Sequence, residues 1–202
     1  NERVNGRIVD LYKKIDNEKD SIPMLRKALP YANRQIELQS DNPSGYWNRG
    51  IIYRRLGLLE KAMEDAEQAL KLNKNFFLGL NLKGKLLYYQ GKYAQSLFFL
   101  KKALAVLENP KANGNGLAVC SNAMKVCVKM GKQDQADDWL RKGIELLDGG
   151  DQAWCYKILA WNYEDRGEFD ETLRLFKESY EQGNMSEKQY QKYYLDTKIA
   201  QC

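Results

Sequence analysis

The side chains of this sequence that most readily do chemistry are its four cysteines and its adjacent carboxylates. Histidine is absent, which removes the commonest general base, the Ser–His and Cys–His pairs and the usual metal ligand. Cys120 and Cys127 are separated by two helical turns, about 10.5 Å, whereas disulfide-bonded Cα atoms lie within about 7 Å. We therefore predict that the cysteines, which include Cys155 and Cys202, are small apolar side chains of a reduced protein without a metal site.

The carboxylate pairs Asp137-Asp138 and Glu164-Asp165 are poor candidates for a shared acid–base site. Adjacent residues of a helix point about 100° apart, so their carboxylates do not converge. No strand is predicted that could lead into a glycine-rich phosphate loop. The sequence therefore favours a protein that is not an enzyme and needs no cofactor.

Composition indicates a folded chain with a mildly basic surface. Of its 202 residues 44% are hydrophobic and 29% charged, and 32 Lys and Arg against 27 Asp and Glu give a net charge of +5. This is short of the concentrated charge of a nucleic-acid binder, so no nucleic acid is expected. No apolar run approaches the ~20 residues of a membrane span. We predict a cytoplasmic location, although a leader already removed would leave no trace.

The elements that position these side chains follow an internal repeat. Small residues recur at a spacing of 34: Gly50 and Gly84, Gly57 and Gly91, and Ala69 and Ala103. Each copy has two stretches of helical periodicity separated by a short turn. Gly57 and Gly91 stand where the first helix must end, which is typical of a left-handed C-cap. Glycine and alanine elsewhere in the repeat predict close helix–helix approach.

This pattern resembles the tetratricopeptide repeat, a helix–turn–helix unit of 34 residues. The matching positions of the first copy are Tyr46, Gly50, Tyr53, Ala62, Ala66 and Ala69, with Arg49 in place of the usual Leu. Those of the second are Leu80, Gly84, Leu87, Ser96, Leu100 and Ala103. Two more divergent copies follow, with their inter-helix glycines at Gly131 and Gly167.

The resemblance implies an all-α fold, a right-handed superhelical solenoid. We assign the repeats to residues 43–76, 77–110, 117–150 and 153–184, after a degenerate N-terminal helix pair over 1–42. Extra residues near Glu108–Gly116 are interpreted as a surface loop. The first helix of the N-terminal pair is predicted over 2–15. A capping helix is predicted in 185–202, where Ser186 and Gln189 fit a capping box.

The resemblance also implies that the first helix of each repeat lines a concave groove. Candidate partner-binding residues in that groove are Trp47, Arg54, Arg55, Asn81, Lys85, Tyr88, Tyr89, Lys125, Lys129 and Trp161. Basic and aromatic groups together suit an acidic, partly apolar segment of a partner protein, extended or helical. Trp47 and Ile51 stand where chaperone-binding members of the family have a clamp Lys and Asn, so a co-chaperone role is not expected.

A different function stays open beside groove binding. The chain could be a scaffold or self-association module, as a homo-oligomer or as the regulatory part of a larger protein, using its convex face or its end caps. The position of the aromatic residues separates the two. Trp47 and Trp161 buried between repeats would weaken the groove hypothesis, and exposed rings beside Arg54 and Lys85 would support it.

Overall fold

The computed structural model describes residues 21–111, 114–183 and 185–201, and their regular elements are all α-helices. The helices are α1 (Ser21–Leu38), α2 (Pro43–Arg55), α3 (Leu59–Leu72), α4 (Phe77–Tyr89), α5 (Tyr93–Ala105), α6 (Asn115–Lys129), α7 (Gln133–Leu146), α8 (Gly149–Glu164), α9 (Phe169–Glu181) and α10 (Glu187–Gln201). The prediction of an all-α fold is confirmed. The helix predicted over 2–15 lies outside the described residues.

The chain divides into two compact units, the first ending at Val106 and the second beginning at Leu107. The division falls just before the stretch Glu108–Gly116, where the sequence predicts a loop. In that stretch Pro110 is turned back onto the start of α6, because its carbonyl accepts a hydrogen bond of 3.0 Å from the amide of Gly116.

The first unit contains two helical hairpins, α2–α3 and α4–α5, preceded by α1. Helix α1 packs against α2, and α4 packs against both α2 and α3. Two buried clusters hold these contacts together: Leu25, Ala28, Ala32 and Ile52 between α1 and α2, and Ala62, Ala66, Leu82 and Leu86 between α3 and α4. Ala62 and Ala66 lie on one face of α3 and allow α3 and α4 to approach closely.

The turn of each hairpin depends on a left-handed glycine. Gly57 and Gly91 have φ of 78° and 74°, a region that L side chains rarely adopt. In the first turn the Leu58 amide donates to the Tyr53 carbonyl at 2.9 Å, the long-range bond of a Schellman cap. Gly131 and Gly167 repeat the conformation in the second unit, with φ of 69° and 77°. The predicted left-handed C-caps are confirmed.

Close approach within a hairpin is clearest at Gly84. A Cβ atom at this position would lie 2.8 Å from Cγ of Leu100, well inside van der Waals contact. The approach also lets the hydroxyl of Ser96 donate to the Gly84 carbonyl at 2.6 Å. The predicted reason for a small residue here, contact between the two helices of one hairpin, is confirmed.

The second unit contains the hairpins α6–α7 and α8–α9, followed by α10. Helix α8 packs against α7 and α9, and α10 packs against α9. Cys120, Cys127 and Cys155 are fully buried here as reduced thiols, which confirms for these three that they serve as small apolar side chains. Cys202 lies outside the described residues. The start of α10 has the predicted capping box, in which the Ser186 amide donates to Oε1 of Gln189 at 3.0 Å.

Candidate functional site

The N-terminus of α2 is fixed by a cap that the sequence encodes directly. Asn42 is in an extended conformation, and its Oδ1 accepts a hydrogen bond of 2.9 Å from the amide of Ser44. Pro43 follows at the first helical position, where its missing N–H is not needed. This cap fixes the residue at which α2 begins.

Trp47 of α2 is partly a core residue. It is half-buried and packs, with Ile51, against the cluster that contains Leu82 and Leu86. Its indole ring therefore contributes to the contact between α2 and the next hairpin. This packing weakens the hypothesis that Trp47 serves mainly as a binding residue.

The two candidate arginines of α2 are half-buried near its C-terminal end. Nε of Arg54 is shielded from solvent and has no hydrogen-bond partner among the residues that the structure describes. Arg55 is also half-buried, and it takes part in an interaction within the protein. Arg54 differs in this from Arg49 of the same helix, whose three guanidinium nitrogens all donate hydrogen bonds.

Arg49 is a third arginine of α2, and it belongs to a structural network that sequence reasoning missed. Its Nε and Nη2 donate to both carboxylate oxygens of Asp65 at 2.9 and 2.7 Å, and its Nη1 donates to Oδ1 of Asn33 at 3.1 Å. The rings of Tyr46 and Tyr53 lie 5.9 and 5.8 Å from the guanidinium. The hydrogen bonds to Asp65 raise the pKa of Arg49 above its ordinary value, so the guanidinium is a charged group that is already bound within the protein.

Helix α4 carries the next candidate residues one repeat later. Asn81 and Lys85 are half-buried and interact within the protein. The ring of Tyr88 lies edge-on to that of Tyr89, with 5.5 Å between centroids, and 5.9 Å from that of Tyr93. Tyr89 is 50% exposed. The end of α4 therefore presents a small aromatic cluster to solvent.

The charge on α2 and α4 is of one sign. Neither helix contains an Asp or Glu. Two neighbouring acidic residues of α3 are already engaged, because Asp65 pairs with Arg49, and Glu67 pairs with Lys83 at 2.8 Å. The helices that carry the candidate residues of the first unit therefore have no carboxylate of their own to neutralise their cations.

In the second unit the candidate residues are Lys125 and Lys129 on α6 and Trp161 on α8. Both lysines are exposed, and Val128 between them is exposed as well. Like α2 and α4, α6 contains no acidic residue. A first helix without an acidic residue of its own is thus a property of three of the four described hairpins.

Trp161 is covered by the last helix. Its ring is half-buried and contacts Phe176 and Tyr193 edge-on, at centroid distances of 6.5 and 6.0 Å. Nζ of Lys157 lies 5.9 Å from the same ring. Trp161 therefore anchors α10 to the α8–α9 hairpin, and this packing weakens its assignment as a binding residue.

A second buried carboxylate, Asp137 on α7, was also missed. It accepts hydrogen bonds from Nδ2 of Asn162 at 2.8 Å and from Nη1 of Arg166 at 2.7 Å, which tie α7 to the end of α8. The sequence carried one signal for this buried carboxylate: it is an acidic residue near Ala136 and Leu140, on the otherwise apolar face of the second helix of a hairpin. The same signal marks Asp65 between Ala62 and Ala66.

The buried thiols are unsuited to nucleophilic chemistry. Burial raises the pKa of Cys120 to about 11 and that of Cys155 to about 12, so both are protonated at neutral pH. Within residues 21–111, 114–183 and 185–201 no three potential metal-ligating side chains come together.

Residues 43–76, the α2–α3 hairpin with its flanks, match a family model described as the tetratricopeptide repeat. The whole fold resembles solved structures of such proteins. TTC0263, a tetratricopeptide protein of the thermophile Thermus thermophilus, gives a TM-score of 0.66 at 20% identity, over 98% of each chain. Residues 43–76 therefore match a tetratricopeptide repeat, and the described residues have the fold of tetratricopeptide proteins.

Other solved structures share this fold. PilF of Pseudomonas aeruginosa has a TM-score of 0.73 at 15% identity, over 98% of this chain and 90% of PilF. YrrB, described as having an unusual peptide-binding site, has a TM-score of 0.59 at 18% identity, over 84% of this chain and 90% of YrrB. No curated protein matches the sequence.

The fold itself indicates a protein–protein interaction module, since the family binds protein or peptide partners and is generally not catalytic. None of the helices described here is both long enough and apolar enough to cross a membrane.

Proposed function

We propose that this protein is a non-catalytic adaptor that binds an acidic, partly apolar segment of a partner protein on the first helices of the two hairpins in its first unit, α2 and α4. The observation that carries the proposal is the absence of any carboxylate from α2 and α4, together with the basic and tyrosine side chains on them. A partner with carboxylates would complement the positive charge of these helices, which provides steering and specificity.

The tyrosines at the end of α4 supply the apolar part of this surface. Tyr88 and Tyr89 have rigid side chains, and Tyr89 keeps half of its surface exposed, so they can bury an apolar residue of the partner at low entropic cost. Because Trp47 and Trp161 pack against their own cores, the proposal depends on the tyrosines and the cations rather than on the two tryptophans.

A peptide-array screen tests the proposal. Wild-type protein is compared with a variant that carries Arg54→Glu and Lys85→Glu. We expect wild type to select acidic peptides with an apolar residue, and we expect this variant to lose them. The matched control, with the same charge change, replaces exposed lysines of α3 and α5: Lys71→Glu and Lys101→Glu.

Two results would contradict the proposal. Equal loss in both variants would indicate a non-specific charge effect, and unchanged binding in the first variant would move the site away from the first helices. Circular dichroism of each variant shows whether it is folded before binding is compared.

One observation favours self-association as a second function. Helix α10 leaves Leu195 and Ile199, one helical turn apart, 57% and 73% exposed. A chain that uses its last helix to assemble would bury these two side chains against a second copy. Mass in solution from light scattering tests this function: a dimer that dissociates on Leu195→Glu and Ile199→Glu supports it, and a wild-type monomer at high concentration excludes it.

A further inference from the structure

Arg54 is the half-buried arginine of α2 whose guanidinium has an unsatisfied donor. Its Nε is shielded from solvent and has no acceptor within the described part of the chain. A shielded N–H without an acceptor has lost its hydration and gained no bond in return. Arg49, five residues earlier, has each of its three nitrogens bonded to a side chain. The two arginines therefore have different roles, and only that of Arg49 is explained by the folded chain.

No hydrogen bond at Nε holds Arg54 in its present rotamer. Arg54 is only half-buried, so a rotation that brings its guanidinium to the surface breaks no hydrogen bond at this atom. The planar fork of Nε and Nη then matches a carboxylate, which accepts two parallel bonds. Acidic residues are absent from α2 and α4, so no carboxylate on these two helices competes for the fork.

The tyrosine cluster is at the corresponding place on α4, the first helix of the next repeat. Residue 88 is the equivalent of residue 54 one repeat later, and α2 and α4 pack directly against each other. Packed helices are about 8–10 Å apart. An extended chain covers that distance in about two or three residues.

We propose that Arg54 is the carboxylate-binding residue of the groove and that Tyr88 and Tyr89 form the neighbouring contact for an apolar side chain. The partner segment is then an extended peptide in which a carboxylate and a large apolar or aromatic residue are about two or three positions apart. This inference rests on the function proposed above and specifies which chemical groups of the partner are read.

The experiment uses the folded full chain and a defined peptide array. The array carries Glu and Phe in both orders at separations of one to five positions, and a second set has Gln in place of Glu. Each set is probed with wild type, with Arg54→Gln and Arg54→Lys, and with Arg26→Gln, an exposed arginine of α1, as the control. Dissociation constants of the best peptides are measured by fluorescence anisotropy.

We expect wild type to prefer the Glu peptides with separations of two or three. Arg54→Gln should weaken their binding about tenfold or more, the effect of losing a charged hydrogen bond, and should not change binding of the Gln peptides. Arg54→Lys should restore little of this affinity, because an ammonium lacks the fork. Arg26→Gln should leave every peptide unchanged. The Nε–H resonance of Arg54 should shift when a Glu peptide is added and stay in place with its Gln counterpart.

Failure of this inference differs from failure of the proposed function. Glu peptides that bind Arg54→Gln as tightly as wild type would overturn the role of Arg54 while the groove remained in use. Equal affinity of Arg54→Lys and wild type would overturn the role of the guanidinium fork. Absence of binding to any peptide by the folded wild type would overturn both.

Discussion

Removal of the Asp65 carboxylate should destabilise the first unit strongly. Asp65→Ala takes away two hydrogen bonds, of 2.9 and 2.7 Å, from the guanidinium of Arg49. Breaking a buried ion pair on one side costs about 3–5 kcal/mol, mostly because a charge is left without a partner. The side chain of Arg49 is 24% exposed and that of Asp65 only 5%, so water can reach part of the guanidinium. We therefore expect a loss of about 2–3 kcal/mol in the free energy of unfolding.

Two further variants separate this effect from a general loss of charge. Glu67 is on the same helix as Asp65, and Glu67→Ala breaks its ion pair with Lys83 of α4. Because the side chain of Glu67 is 56% exposed, this change should lower the free energy of unfolding by only about 0–1 kcal/mol. The double variant Arg49→Met with Asp65→Leu removes the pair and its desolvation cost together. It should therefore be within about 1 kcal/mol of wild type.

The assay is urea unfolding followed by circular dichroism, with hydrogen exchange of α2 and α3 to place the change in the first unit. A cost of Asp65→Ala equal to that of Glu67→Ala would refute the claim that the Arg49–Asp65 pair holds the hairpin together. A double variant as unstable as Asp65→Ala would show that the loss comes from packing and not from an unpaired charge.

Three other predictions concern the core and the last helix. Gly84→Ala puts a methyl group 2.8 Å from Cγ of Leu100 on α5 and should lower the free energy of unfolding by about 1–3 kcal/mol. The control is Gly150→Ala, because a Cβ at residue 150 would meet no neighbouring atom within 4 Å. This variant should be neutral or slightly stabilising in the same urea titration. Burial raises the pKa of Cys155 to about 12, above that of an unfolded thiol at about 8.5. The contribution of the buried thiol to stability is therefore complete below about pH 8 and is lost as pH rises towards 12. The loss of stability at high pH should be smaller in Cys155→Ala, and an equal loss in this variant would contradict the prediction. Tyr193→Ala removes a ring stacked 5.0 Å from that of Phe176. Hydrogen exchange should become faster in α10 and stay unchanged in α6. Exchange that stays slow in both helices would mean that other contacts hold α10.

The helices and turns were accessible from the sequence because their signals are local. An alanine stripe and a glycine at each turn depend only on nearby residues, and the 34-residue spacing is the recurrence of these local patterns. Gly57 and Gly91 have the left-handed conformation predicted for them. The Ser186 capping box was readable for the same reason.

The contacts that decide the candidate site were not readable in this way. The partner of Arg49 is Asp65, sixteen residues later, and periodicity cannot show that one arginine of α2 has a buried partner while Arg54 has an unsatisfied donor. The covering of Trp161 by Tyr193 likewise depends on how α10 packs. Sequence position therefore selected the helices of the candidate site but not which side chains on them are already engaged.

Hydrogen exchange of the folded protein, with and without the best acidic peptide from the array, tests the central claim most directly. We expect added protection in α2 and α4 and little change in the second helices α3 and α5, because the proposed contacts are on the first helices alone. Protection confined to α3 and α5, or to α10, would place the partner elsewhere and contradict the account.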